Sequence, residues 1–134
     1  MSRRFSLLLI VVAAAALLAC SSSAKSGSAP TIKDFVLAPT SLKVGVQTEL
    51  NGTMTVEDVD GDIAGTSGEV TFPDGKIVPI QDVNLSAGNK TSIPVIYKIP
   101  QLPVPTAGEY TVSVQARDAE GNQSAKASIK LTAN

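Results

Sequence analysis

The body of the chain alternates apolar and polar residues with period two. Leu50, Met54 and Val56 share one side with Gly52, while Glu49, Asn51, Thr53, Thr55 and Glu57 share the other. Ile93, Val95, Tyr97 and Ile99 repeat the pattern. Tyr110, Val112, Val114 and Ala116 repeat it again, against Thr111, Ser113 and Gln115. One apolar face and one polar face is the signature of a half-buried strand. Gly, Pro, Asn and Asp interrupt these stretches about every ten residues, and no segment of the body carries a helical period. The predicted strands cover 31–37, 50–56, 69–72, 77–80, 91–99, 110–116 and 125–131, with a short edge segment at 41–44. Asp74-Gly75 joins the third and fourth as a hairpin, and Pro79 marks the fourth as an edge strand. Pro100, Pro103 and Pro105 predict a stiff connection. Phe35, Phe72, Tyr97 and Tyr110 are expected to point inward.

About seven strands in some hundred residues predicts an all-β fold, an Ig-like antiparallel β-sandwich. The run Ala107-Gly108-Glu109-Tyr110 through Asp118-Ala119-Glu120-Gly121-Asn122 resembles the closing strands of bacterial Ig-like and PKD-like extracellular modules. In that resemblance Gly108 and Tyr110 take the place of a structural tyrosine corner. Val70-Thr71-Phe72-Pro73-Asp74-Gly75 resembles the PKD signature more loosely, with Val70 at the aromatic position and Pro73 in place of a glycine. The paired cysteines and core Trp of antibody domains are absent.

The amino terminus follows a different rule. Arg3 and Arg4 precede an apolar run that ends at Ala19, ahead of the only cysteine of the chain. The run is shorter than the roughly 20 residues that span a bilayer, and no basic stop-transfer cluster follows it. Residues 1–19 therefore read as a helical signal peptide. Leu17-Leu18-Ala19-Cys20 resembles the bacterial lipobox. That resemblance implies cleavage before Cys20, lipidation of its thiol, acylation (palmitate-type) of the new amino terminus, and a lipoprotein of the cell envelope. In enterobacterial lipoproteins an Asp after the lipidated Cys tends to retain the protein at the inner membrane, so Ser21 in that place favours the outer membrane. Three acyl chains would hold it permanently, since two already suffice for stable anchoring. An ordinary secretory leader that happens to contain a cysteine is the alternative. Residues 20–29, small and Ser-rich, read as a disordered tether with an r.m.s. span of about 17 Å. Residues 30–134 form the folded domain.

Composition narrows the function. The leader removes Arg3 and Arg4, leaving nine Lys and Arg against 12 Asp and Glu, with no basic stripe for nucleic acid. There is no His, no Trp and, once Cys20 is lipidated, no thiol, so nucleophilic and general-base catalysis lack their usual groups and no enzyme is expected. Asp58, Asp60 and Asp62 alternate around Gly61, and Asp118 lies in the turn that a sandwich places at the same end. Such hard oxygen donors suit Ca²⁺, although the spacing is not that of an EF-hand. The same residues also form ordinary solvated turns. The resulting expectation is a membrane-anchored, non-enzymatic binding or assembly module, an accessory subunit with an envelope protein as partner. The alternative is a carbohydrate-binding or adhesive surface module.

Overall fold

A computed structural model describes residues 27–134. The leader, Cys20 and most of the expected tether lie outside the described residues. Eight strands follow in order: β1 (Thr31–Ala38), β2 (Ser41–Leu42), β3 (Thr48–Glu57), β4 (Ile63–Thr71), β5 (Ile77–Asn84), β6 (Ser92–Leu102), β7 (Gly108–Asp118) and β8 (Ala127–Ala133). They form a three-stranded sheet, β1-β3-β6, and a five-stranded sheet, β2-β8-β7-β4-β5. All pairings are antiparallel except β2 with β8. No helix of the described residues is long and apolar enough to cross a membrane.

The period-two rows become the core. Leu50, Met54 and Val56 of β3 face inward, as do Val95, Tyr97 and Ile99 of β6. The opposing sheet contributes Val70, Tyr110, Val112, Val114, Ala116 and Leu131. At about 25 cal/mol per Å² of apolar surface removed from water, this packing is the main stabilising term in a domain that has no disulfide.

Several boundaries differ from the sequence-based expectation. The hairpin arms are longer, because β4 starts at Ile63 and β5 runs to Asn84. Gly65, Thr66 and Gly68 hide this extension in the sequence, since small residues carry little alternation. Strand β6 passes through Pro100 to Leu102 instead of stopping there. β6 is an edge strand, and Pro100 falls in a break of its ladder with β3, between the Leu50–Ile99 and Thr48–Leu102 pairs, where proline is tolerated. Ala125 lies outside β8 and is exposed. The β4–β5 turn closes as expected: the Gly75 N–H donates to the Phe72 carbonyl oxygen (2.9 Å) and the Lys76 N–H to Asp74 Oδ1 (2.9 Å). Strand β1 carries a bulge between Lys33 and Val36, where Asp34 takes a positive φ of 53°. The extra residue lets Phe35 pack edge-on against Tyr97, centroids 6.3 Å apart.

Two tyrosines span the core and are treated differently by it. Tyr110 is fully buried, and its hydroxyl donates to the Thr106 carbonyl oxygen (2.8 Å). The Phe72 ring lies 5.2 Å away, edge-to-face. Tyr97 is also buried, but its hydroxyl finds no hydrogen-bond partner. That hydroxyl rests over Gly68 of the facing sheet, where a Cβ would collide with it. Burial, with a smaller contribution from the Asp82 charge, pushes the Tyr97 hydroxyl from 10.0 up to about 12.

Three outcomes are expected. Tyr110→Phe should lower stability by about 1 kcal/mol, the net worth of one hydrogen bond, and Tyr110→Ala by about 3–5 kcal/mol. A denaturant titration that shows equal losses would mean that the hydroxyl, not the ring, carries the effect. Gly68→Ala should destabilise, whereas Tyr97→Phe should be neutral or stabilising because it deletes an orphaned polar group. The double variant should then recover most of the Gly68→Ala loss, and simple additivity in the thermal melts would contradict the contact. The alkaline limb tests the same ring. The unfolded chain loses the Tyr97 proton near 10.0 while the folded state keeps it to about 12, so stability falls as pH rises through that window. Tyr97→Phe should show a shallower alkaline decline than the wild type.

Candidate metal centre

The apolar row of β3 reads Leu50, Met54, Val56, and the next inward position is Asp58. The row of β7 reads Tyr110, Val112, Val114, Ala116, and the next is Asp118. Both sheets thus end their buried rows on a carboxylate at the same end of the sandwich. Asp58 and Asp118 are each only 3 % exposed. Asp62, half-buried, joins them just before β4, and one oxygen from each of the three lies within 4.8 Å of the other two.

Local hydrogen bonds fix this arrangement. The Asp58 N–H donates to the Thr91 carbonyl oxygen (2.8 Å), and Asp58 Oδ1 accepts from the Asp60 N–H (2.9 Å). Gly61 holds a positive φ of 71°, and a Cβ there would stand 2.9 Å from the Asn89 carbonyl oxygen, so only glycine fits the turn. The Ala119 N–H donates to the Asp62 carbonyl oxygen (2.9 Å), which ties the loop before β4 to the turn after β7. Asp118 accepts from both the Asn122 N–H (2.7 Å) and the Asn122 side-chain amide (2.6 Å).

Two of the acceptors have no donors. Asp58 Oδ2 and Asp62 Oδ1 are both sealed from solvent and lack any hydrogen-bond partner among the described residues. The ion pairs of the described residues lie elsewhere: Lys33–Glu57 (2.6 Å), Lys126–Glu69 (2.5 Å) and Lys130–Glu109 (3.0 Å), all exposed and worth little each. Arg117, next to Asp118 in sequence, donates to Asn84 Oδ1 (2.7 Å). Burial, then the neighbouring Asp118 and Asp58 charges, hold the Asp62 carboxyl above its ordinary value of 3.8. The pocket therefore offers several hard oxygen acceptors, an excess of negative charge, and two buried oxygens without a donor. It suits a hard cation.

The structure brings together Asp58, Asp62 and Asp118 but leaves Asp60 out of the cluster. Asp60 is exposed, and its Oδ2 accepts from the Ser28 N–H (2.5 Å), so its carboxylate faces the segment that enters β1. The period-two spacing of Asp58, Asp60 and Asp62 does not survive the turn at Gly61. Gly108 and Tyr110 lie at the opposite end of the sandwich, at the start of β7.

A second feature gave no sequence signal. Strands β5 and β6 are edges of opposite sheets, and between them opens an apolar groove of about 440 Å³. Val70, Phe72, Val78, Ile80, Ile99 and Leu102 line it. These residues come from three separated stretches, so only the topology reveals them as neighbours.

No protein-family model matches the chain, and neither does any curated protein sequence. Solved structures do. The PKD domain of an M14-like peptidase from a Thermoplasmatales archaeon superposes with a TM-score of 0.53 at 21% identity, covering 81% of this chain and 98% of that one. The fibronectin(III)-like modules of CbhA from Clostridium thermocellum give 0.52 at 21% identity, covering 79% of this chain and 47% of that one. A Niemann-Pick type C2 protein from the Japanese carpenter ant gives 0.54 at 8% identity, covering 81% and 96%. Identities this low speak for architecture alone: the domain is an all-β sandwich with an Ig-like fold.

Proposed function

We propose that this chain is a lipid-anchored, non-enzymatic binding or assembly module of a bacterial cell envelope, an accessory subunit that holds a protein partner near the membrane. The anchor rests on Leu17-Leu18-Ala19-Cys20, and Ser21 after the lipidated cysteine favours the outer membrane in a cell with two. The observation that carries the binding half is the open side of the sandwich. There the unpaired edges of β5 and β6 flank the apolar groove. A partner segment in extended form can pair with a free strand edge while its side chains enter the groove, which combines main-chain affinity with side-chain specificity. Residues 27–134 contain no imidazole and no thiol, which supports a binding role over nucleophilic or general-base chemistry. The likeness to PKD and fibronectin(III)-like architectures supports the same reading.

The carbohydrate reading finds less support. Sugar-binding faces use exposed rings, but Tyr97 and Tyr110 are 2% and 0% exposed and the chain has no Trp.

Crosslinking in intact cells tests the proposal. A photoreactive residue in place of Gln101, on the groove rim, should trap one dominant envelope protein. The same probe in place of Lys130, on the outer face of β8, should not. Equal capture at both sites would remove the groove from the interaction. Cys20→Ala should leave the protein unlabelled by fatty acid, release it from the membrane fraction and complement a deletion poorly. Full complementation by that variant would show that anchoring is dispensable.

A further inference from the structure

We propose that Asp58, Asp62 and Asp118 bind one Ca²⁺, and that this ion fixes the segment entering β1 through Asp60. Two observations independent of each other carry the site. The three carboxylates converge to within 4.8 Å at the end of the sandwich. Within that cluster, Asp58 is 97 % removed from solvent (3 % exposed), yet its Oδ2 has nothing to bond, and Asp62 Oδ1 is in the same position. A buried carboxylate oxygen without a donor is costly to leave unsatisfied. Here two of them point into one pocket that also holds a third acid.

The donor set selects the ion. The three carboxylates offer hard oxygen ligands on loops and strand ends, and one oxygen from each lies within 4.8 Å of the other two, close enough to share one ion. Ca²⁺ accepts six to eight such oxygens at about 2.3–2.6 Å in a flexible geometry, whereas Mg²⁺ demands a near-ideal octahedron at about 2.0–2.1 Å and gives up its waters reluctantly. Three carboxylates with the remaining positions left to water describe a weak site of the kind extracellular modules use, with dissociation constants on the order of 10⁻⁴–10⁻³ M.

The consequence extends beyond the pocket. Asp58 Oδ1 accepts from the Asp60 N–H (2.9 Å), and Asp60 Oδ2 accepts from the Ser28 N–H (2.5 Å). An ion on Asp58 Oδ2 therefore immobilises the residue that positions Asp60, which in turn positions the chain entering the domain. Asp60 acts as a positioning residue, not as a ligand. This inference does not depend on the proposed partner, because it concerns the opposite end of the sandwich from the groove.

Calorimetry on the full-length protein in detergent gives the first readout. Titration with Ca²⁺ should show one bound ion per chain, and about 5 mM Ca²⁺ should raise the melting temperature by at least about 4 °C. Mg²⁺ at the same concentration should raise it less. Asp62→Asn should abolish the Ca²⁺ response yet melt no lower than the ion-free wild type, since it removes one of three crowded charges. This outcome separates loss of the site from loss of the fold, and Asp118→Asn provides a second variant. Hydrogen exchange gives the other readout. Ca²⁺ should slow exchange at Ser28, and Asp60→Ala should lose that protection while keeping the thermal shift. No binding heat and no shift in the wild type, or the same shift in Asp62→Asn, would overturn the site. An equal response to Mg²⁺ would overturn the choice of calcium. Protection of Ser28 that survives in Asp60→Ala would overturn the coupling.

Discussion

The facing inward rows of β3 and β7 set the terms for the rest of the molecule. Each presents an apolar residue at every second position, and the gap between the sheets must be filled by whatever these rows and their neighbours supply. Tyr97 crosses the gap because Gly68 opposite it has no side chain. The fit is steric and not polar: the hydroxyl is accommodated without a partner. Tyr110 crosses from the other sheet and does find an acceptor, the Thr106 carbonyl oxygen, because the chain folds back just before β7 begins. With only packing to hold the sheets together, a domain of this size tolerates few such compromises.

The strands were legible in the sequence where one face was strongly apolar, as at Leu50–Val56 and Tyr110–Ala116. The signal failed at Gly65–Gly68, where the interior position is left small for a ring from the other sheet, so the length of β4 was hidden by a tertiary contact. It failed again at Pro100, because proline is tolerated at edges and register breaks: β6 is an edge strand, and Pro100 falls in the break between the Leu50–Ile99 and Thr48–Leu102 pairs. The Asx and glycine turns were readable because their chemistry is local.

The carboxylate cluster was half readable for a similar reason. Asp58 and Asp118 continue the parity of their apolar rows by one step, which is a sequence signal for an inward-pointing acid. Asp60 shares that parity but follows the end of β3, where alternation no longer governs direction. Asp62 has no such signal, because the turn at Gly61 resets the register before β4. Its position follows from the Ala119 N–H to Asp62 carbonyl bond, a contact across 57 residues of sequence that no local rule predicts. The apolar groove is less readable still, since it exists only because β5 and β6 happen to be edges of different sheets on the same side.

The two ends of the sandwich consequently differ in character, and the register says which is which. Thr31 pairs with Glu57, so the chain enters β1 at the end that carries Asp58. Leu102 pairs with Thr48 and Thr71 with Thr111, so the groove residues Leu102 and Phe72 sit toward the other end, near Tyr110. Strand β3 is ten residues long, which separates the ends by about 30 Å. A domain anchored through its amino terminus would present its acidic end to the lipid and its groove away from it. An anionic membrane surface repels an uncompensated cluster of carboxylates within a Debye length of about 8–10 Å. The proposed cation between Asp58, Asp62 and Asp118 would remove part of that repulsion and, through Asp60, would hold the Ser28 N–H where the chain enters the domain. On the proposed anchor and ion, the acidic end would be the one nearer the lipid, its first residues held by the ion, while the groove would stay at the far end, open to a partner.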